Sequence, residues 1–197
     1  MGTSEYYNKH AQNFFSETRL LNLEELYKPF LMLIPKGGSI LDAGCGSGRD
    51  IKYFSRNGYD VSAFDSSSEL CRLAFELTGQ SVANSSFVDF HFNKSFDGIW
   101  ACASLLHLPK KEMPDVFKRF HDALSPDGVV YCSFKYGSFE GDRNGRYFSD
   151  LTNESLANVI EGTLLKIERY WITNDLRQGR EEEKWLNAIL VKDSRCK

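Results

Sequence analysis

Three glycines at alternate positions, Gly44, Gly46 and Gly48, sit in "SILDAGCGSGRD" (39–50), with Asp42 before them and Arg49 after. Placed between a strand and a helix, such residues let backbone N–H groups face outward with no Cβ in a ligand's way. A plain corner has no use for three of them, because each costs folding entropy. The pattern therefore predicts a binding turn. A dinucleotide fold wants G-x-G-x-x-G, whose last glycine would fall at position 49, where Arg49 stands. Asp65 closes the next apolar run, "DVSAFD", seventeen residues beyond Gly48. A carboxylate at that strand tip can accept both hydroxyls of a ribose. The other reading makes Asp65 a helix cap, in competition with Ser66 or Ser67.

These side chains need a strand before the turn, a helix after it and a second strand alongside. The chain supplies that alternation throughout, which is the grammar of a parallel α/β sheet. "SILDAGC" reads as a buried strand, "RDIKYFSRNG" as a helix with Ile51 and Phe54 on one face and Gly58 as its stop, and residues 60–65 as the second strand. "SSSELCRLAFELTG" follows as a helix with Leu70, Leu73, Ala74 and Leu77 inward and Gly79 at its end. "SFVDFHF" (86–92) alternates like a half-buried strand, and "FDGIWACA" (96–103) suits the sheet centre. A helix then carries Met113, Val116, Phe117, Phe120 and Leu124 to a turn at Pro126–Gly128, ahead of the strand "GVVYCSFKYG". A glycine-rich charged loop, "GSFEGDRNGRYFSD", leads to a helix opening at Thr152, with Leu156, Val159 and Ile160 on one face. Two last strands, 164–175 and 184–193, flank "LRQGREEE"; so short a link makes them antiparallel neighbours. Residues 1–36 form a helical cover that turns Leu20, Leu23, Leu26 and Phe30 to the sheet, and residues 1–197 read as one domain.

Composition narrows the function. At 197 residues and 42% hydrophobic content the chain can bury one core, and a net charge of −3 exerts no global pull on nucleic acid or anionic membrane. Five cysteines, Cys45, Cys71, Cys102, Cys132 and Cys196, are scattered and odd in number with no C-x-x-C pair. That argues against disulfides and a structural metal and for a reducing cytoplasm. No signal peptide or membrane span is evident, and Gly2 lacks the Ser or Thr at position 6 that myristoylation wants.

Taken in series, "ILDAGCGSGRD", "VSAFDSSSEL", "SFVDFHFNKSFDGIWACASLLHLP" and "LSPDGVVYCSFKYG" resemble the successive motifs of class I S-adenosylmethionine-dependent methyltransferases. The resemblance implies a Rossmann-like, doubly wound α/β fold: a seven-stranded, mostly parallel sheet with an antiparallel last strand and an N-terminal helical region. Residues 37–137 would form the S-adenosylmethionine-binding core and 138–197 the acceptor side. By residue, it implies that Asp42 and the turn Gly44, Cys45, Gly46 and Gly48 face the methionine part. Asp65 with Ser66 would serve the ribose, and Asp89 with Phe90 the adenine. Cys102 and Ala103 would lie along the cofactor, and Thr18 would close over its carboxylate. Arg49 could pair with the same carboxylate, the alternative being a plain surface arginine.

A sulfonium already carries a good leaving group, so transfer needs an aligned acceptor and excluded water more than covalent help. His107, in "SLLHLP", is the general-base candidate, or else a histidine capping the next helix. Arg146 and Tyr147 stand where the family builds its acceptor pocket, and an arginine there favours an anionic acceptor. A loop salt-bridged through Glu140 and Asp142 is the competing reading. Trp171 and Trp185 pack the terminal strands, and Tyr6 and Tyr7 suit either a lid or a disordered start. Signatures of DNA methylation, Pro-Pro before an aromatic and Pro-Cys, are missing, as is a cysteine triple for an iron–sulfur site. The sequence thus points to a methyltransferase acting on a small-molecule acceptor. Its alternatives are a tRNA or protein methyltransferase using Lys110, Lys111, Lys118 and Arg119, a non-catalytic regulator that binds S-adenosylmethionine, and more distantly an NAD-dependent oxidoreductase.

Overall fold

The computed structural model describes residues 2–193, so Cys196 lies outside the described residues. Two helices come first, α1 (Thr3–Thr18) and α2 (Glu24–Leu31). The α/β alternation follows as β1 (Ser39–Ala43), α3 (Arg49–Arg56), β2 (Asp60–Asp65), α4 (Ser68–Thr78), β3 (Ala83–Asn84), β4 (Phe96–Ala101), α5 (Met113–Ala123) and β5 (Leu124–Lys135). A short hairpin, β6 (Glu140–Arg143) and β7 (Arg146–Ser149), precedes α6 (Asn153–Ile160), β8 (Leu165–Asn174) and β9 (Lys184–Lys192). One seven-stranded sheet runs in the order β3-β2-β1-β4-β5-β9-β8. Strands β1 to β5 pair in parallel, and β9 pairs antiparallel with both β5 and β8, as the short link predicted. The strand order reverses between β1 and β4, which opens a crevice at their carboxyl ends where ligands of such folds bind.

Both faces of the sheet are buried, which explains the unbroken apolar runs of β4 and β5. On one face Tyr27, Phe30 and Phe54 pack on Trp100, which stacks on Tyr131 at 3.8 Å. On the other, α5 and α6 bring Phe117, Phe120, Leu156 and Ile160 against Ile99, Cys132 and Leu190. Each fully buried aromatic of this kind contributes roughly 1.5–3 kcal/mol. No helix among the described residues is long and apolar enough to cross a membrane.

Four expectations need correction. Residues 86–92 are not a strand; β3 stops at Asn84 and a turn occupies 87–89. Phe87, Phe90 and Phe92 lie 5.3, 5.0 and 6.4 Å from the one ring of Phe64, a convergence that period-two alternation cannot produce. Pro126–Gly128 does not end the element, because β5 already pairs at Leu124 with Phe96 and bulges before Val129 meets Gly98. The charged loop is a hairpin closed by Asn144–Gly145, both at positive φ (53° and 79°), the two-residue turn that matches strand twist. Leu20, in the link between α1 and α2, is 76% exposed, whereas Leu23 and Phe30 are buried as expected. At α6, Thr152 caps the helix as expected, with Ser155 closing the capping box.

Candidate active site

The glycine turn leaves β1 with Gly44, Gly46 and Gly48 at φ 77°, 53° and 76°, which favours glycine at each. At Gly44 space forbids a side chain as well: a Cβ would stand 2.6 Å from that of Ser104. Gly44 and Cys45 donate their N–H groups to the Phe64 carbonyl at 2.9 and 3.1 Å, pinning the turn to β2. Gly46 N–H donates to Asp65 Oδ2 and Ser67 N–H to Asp65 Oδ1, both at 2.9 Å. Burial pushes the Asp65 carboxyl up while the N–H groups of Ser67, Gly46 and Ser66 pull it down, and of the roughly four acceptor sites of a carboxylate one is left for a further donor. The cap of α4 is Ser67, whose Oγ accepts from Leu70 N–H at 3.2 Å. Asp42 is 1% exposed and its Oδ2 has no partner. Burial first, and Asp50 next, raise its pKa well above the usual carboxylate range.

Arg49 is neither a surface side chain nor a free fork. Its Nε and Nη2 grip Asp50 at 2.6 and 2.9 Å. Asp50 also accepts from Tyr27 Oη at 2.5 Å and Trp100 Nε1 at 2.9 Å. Burial alone would raise the Asp50 pKa, but Arg49 and these donors hold it below the ordinary value. Thr18, at the end of α1, is buried with its Oγ 3.2 Å from Ser47 Oγ. Phe14, one helical turn earlier, lies over Gly46.

A cavity of about 440 Å³ runs from this turn past Cys102 and Ala103 to the hairpin and the β8–β9 connection. Ala103 holds φ 51° and donates its N–H to Ser133 Oγ at 2.8 Å. Burial pushes the Cys102 thiol up to about 12. At the far end, His107 Nδ1 lies 2.7 Å from the Tyr147 carbonyl, which can only accept, so Nδ1 carries the proton. Nε2 then accepts from Tyr7 Oη at 2.8 Å. Desolvation takes the His107 pKa down to about 4, and Arg146 pushes the same way against the Tyr147 carbonyl. Arg146 Nη1 donates to Tyr7 Oη at 3.3 Å, its guanidinium packs on the rings of Tyr6 (4.9 Å) and Phe148 (5.1 Å), and its buried Nε has no partner.

The structure therefore gathers Thr18, Gly44, Cys45, Gly46, Arg49, Cys102, Ala103, His107 and Arg146 around one cavity. Asp65 stands beside it through its bond to Gly46, and Gly48 is the residue from which α3 starts. Others are not brought in. Tyr147 turns its hydroxyl to Glu140 at 3.1 Å and offers only its carbonyl to His107. Asp89 is exposed and accepts from Ser86 Oγ at 2.5 Å, while Phe90 is buried against Phe64, because the expected strand is a turn. Ser66 is exposed, its carbonyl accepting from Ser4 Oγ at 2.8 Å. The tyrosine lid is ordered helix, with Tyr7 half-buried in the cleft. Trp171 packs 6.1 Å from Tyr131, whereas Trp185 donates to Asp175 at 3.0 Å on the cleft wall.

Sequence reasoning passed over Asp50, Tyr27 and Trp100; the adjacency of Arg49 and Asp50 was the available signal. It also passed over Lys135, Asp175, Arg177 and Arg180 on the cleft wall, which carried no signal because no local motif contains them.

Comparison with known proteins shows the family and the fold. Residues 7–163 match a family described as a methyltransferase domain. A Staphylococcus carnosus protein described as an uncharacterized methyltransferase is 30% identical over 143 residues, 71% of this chain and 66% of that protein. The chain thus spans just under two thirds of that relative's length. Among solved structures, Burkholderia thailandensis 1,6-didemethyltoxoflavin-N1-methyltransferase, with 1,6-didemethyltoxoflavin and S-adenosylhomocysteine bound, superposes with a TM-score of 0.72 at 20% identity, covering 96% of this chain and 90% of its own. A TehB-like S-adenosylmethionine-dependent methyltransferase from Corynebacterium glutamicum gives a TM-score of 0.70 at 23% identity, covering 96% and 97%. At such identities the likeness is one of fold.

Proposed function

The chain belongs to the class I S-adenosylmethionine-dependent methyltransferases, and from that premise we propose that it methylates a small-molecule acceptor held between the glycine turn and the β6–β7 hairpin. The carrying observation is the turn itself: three glycines at positive φ that bare the backbone beside the cavity, Asp65 locked next to them by Gly46, and a buried Asp42 oxygen without a partner. An orphaned buried acceptor is costly unless a donor completes it, so these residues fit S-adenosylmethionine, which brings an ammonium and ribose hydroxyls. When bound, the cofactor supplies a methyl group on a sulfonium.

The chain's own part is binding, alignment and exclusion of water. Asp65 would accept a ribose hydroxyl with the acceptor site its backbone donors leave free. Thr18 and the Arg49 nitrogen that Asp50 leaves unused, Nη1, would serve the methionine carboxylate. Phe14 and α1 cover the turn and shut out solvent. His107 is a poor base at neutral pH, with its Nε2 held by Tyr7; it positions Tyr7 and Arg146 at the acceptor end. The acceptor atom accordingly arrives with its own lone pair, without a proton to lose to the protein. Asp89, Phe90 and the Tyr147 ring have no part in this reading.

A small acceptor suits the surface better than RNA or protein. Of the basic residues proposed for a macromolecule, Lys118 pairs with Asp115 at 3.4 Å and Lys110 bonds the Ser138 carbonyl at 3.2 Å. The reading takes residues 1–197 as one methyltransferase domain working in the cytoplasm, and the free cysteines Cys45, Cys71, Cys102 and Cys132 agree with a reducing setting. Calorimetric titration with S-adenosylhomocysteine is the test. Saturable micromolar binding that weakens at least tenfold in Asp65→Ala is expected; a flat titration together with an unshifted melting curve overturns the reading.

A further inference from the structure

Six cationic side chains line the cavity, Arg49, Lys135, Arg143, Arg146, Arg177 and Arg180, against three anionic ones, Asp50, Asp175 and Glu183. The chain as a whole carries −3, so this excess is local. Each lining anion is already matched: Asp50 with Arg49, Asp175 with Arg177 at 2.5 Å, and Glu183 with Lys135. Arg143 finds Asp150 at 3.0 Å. Arg146 has no carboxylate within ion-pair distance among the described residues, and its neighbours Tyr7 and His107 are both uncharged near neutrality, since burial raises the phenol pKa and lowers the imidazole pKa. Arg146 Nη1 is used by Tyr7. The opposite edge, Nε and Nη2, is the side of a guanidinium that matches the two oxygens of a carboxylate, and here Nε–H is buried without an acceptor.

We propose that the methyl acceptor is a small carboxylate-bearing anion whose carboxylate is held by the Nε–Nη2 edge of Arg146; the proposal rests on the methyltransferase reading. Three observations converge on it: the cationic surplus of the cleft, the missing counter-charge on Arg146, which among the six lining cations Arg180 shares, and the buried Nε without an acceptor that singles out Arg146 among the described residues. The rings of Tyr6 and Phe148 pack on the guanidinium at 4.9 and 5.1 Å and keep it poorly hydrated, which strengthens a charge-assisted pair. Tyr7, which bonds Arg146, packs edge-on against Phe14 at 5.1 Å across the kink of α1 at His10, and Phe14 covers Gly46, so the anion site on β7 is linked through side chains to the roof of the cofactor turn. Away from the glycine turn, Asp175 and Glu183 are spent on Arg177 and Lys135, so the surplus of bases stands at the hairpin end.

Calorimetry on the full chain saturated with S-adenosylhomocysteine tests this, with benzoate, succinate and inorganic phosphate as probes and benzamide and succinamide as their uncharged partners. Benzoate or succinate is expected to bind and neither amide to do so. Arg146→Gln should weaken carboxylate binding roughly 10- to 100-fold while leaving the affinity for S-adenosylhomocysteine within twofold. Arg146→Lys, which keeps the charge and loses the fork, should fall between the two. An unchanged cofactor affinity also certifies that each variant is folded. Equal binding of amides and carboxylates, phosphate preferred over both carboxylates, no carboxylate bound at all, or undiminished carboxylate binding in Arg146→Gln would each overturn the proposal. Loss of S-adenosylhomocysteine binding by the wild-type chain would instead overturn the underlying reading.

Discussion

The two ends of the cleft are built in different ways. The glycine-turn end has its frame in a stretch of chain about 25 residues long, Asp42 to Ser67, with the turn fastened to the next strand by local bonds and with Thr18, Tyr27 and Trp100 added from outside it. The acceptor end is joined by bonds between residues far apart in sequence: Tyr7 to His107 across 100 positions and Arg146 to Tyr7 across 139. Their charge is opposite too. Asp42, Asp50 and Asp65 outnumber Arg49 at the first end, whereas at the second Arg143, Arg177 and Lys135 are matched by Asp150, Asp175 and Glu183 and leave Arg146 and Arg180 in excess. A recurring cofactor is served by geometry that a short segment can specify. A particular acceptor is served by residues that only folding assembles, on loops and edges where substitution is tolerated.

If the turn end is one integrated network, its centre should be the costliest place to cut. Asp50→Ala leaves Arg49 buried without a counter-charge and strands the Tyr27 and Trp100 donors. The expected loss is about 3–5 kcal/mol, read as a fall of roughly 10 °C in Tm by calorimetric scan. A variant melting within 2–3 °C of wild type would show that the turn end is no more interdependent than the acceptor end.

The acceptor end should instead announce itself through acid. His107 titrates near 4 in the folded chain and near 6.5 when unfolded. As pH falls through about 6.5 the unfolded chain takes up this proton while the folded chain resists it until about 4, so the contribution is whole above 6.5 and lost on the way down. Over that window wild type should lose about 3 kcal/mol more than His107→Gln, measured by urea unfolding at pH 7 and pH 4. Parallel acid profiles for the two proteins would remove His107 as a sensor of that end.

The smallest effect belongs to the roof joining the two ends. Asn8 on α1 accepts from Ser67 Oγ at 2.7 Å and from Glu69 N–H at 3.3 Å at the start of α4. Asn8→Ala should cost about 1 kcal/mol and speed hydrogen exchange in α1 without touching β1 or β4. Exchange that rises equally across the sheet would mean the helix is not a separable roof.

The legibility of the chain followed the same division. Strand β2 falls on residues 60–65, and Gly79 ends α4 in a left-handed conformation, because local periodicity and cap chemistry decide such features. The reading of 86–92 as a strand failed because three phenylalanines are drawn to Phe64, a residue outside that segment. Asn144–Gly145 was a readable hairpin signal, overlooked amid charged neighbours. Arg146 and Tyr147 were singled out together, yet adjacent strand residues point to opposite faces, and β7 sends the Arg146 guanidinium into the cleft and the Tyr147 ring away from it.

The sequence by itself determined the α/β alternation, the glycine turn with Arg49 in place of a fourth glycine, and the carboxylate at the tip of β2, all properties of spacing within one strand–helix unit. Only the tertiary structure decided that Tyr27 and Trp100 would fix Asp50 against Arg49, that Tyr7 would occupy His107, and that Arg146 would be left without a counter-charge. Those outcomes depend on which side chains compete for the same donor or charge, and competition between residues a hundred positions apart is settled only when the sheet brings them within reach.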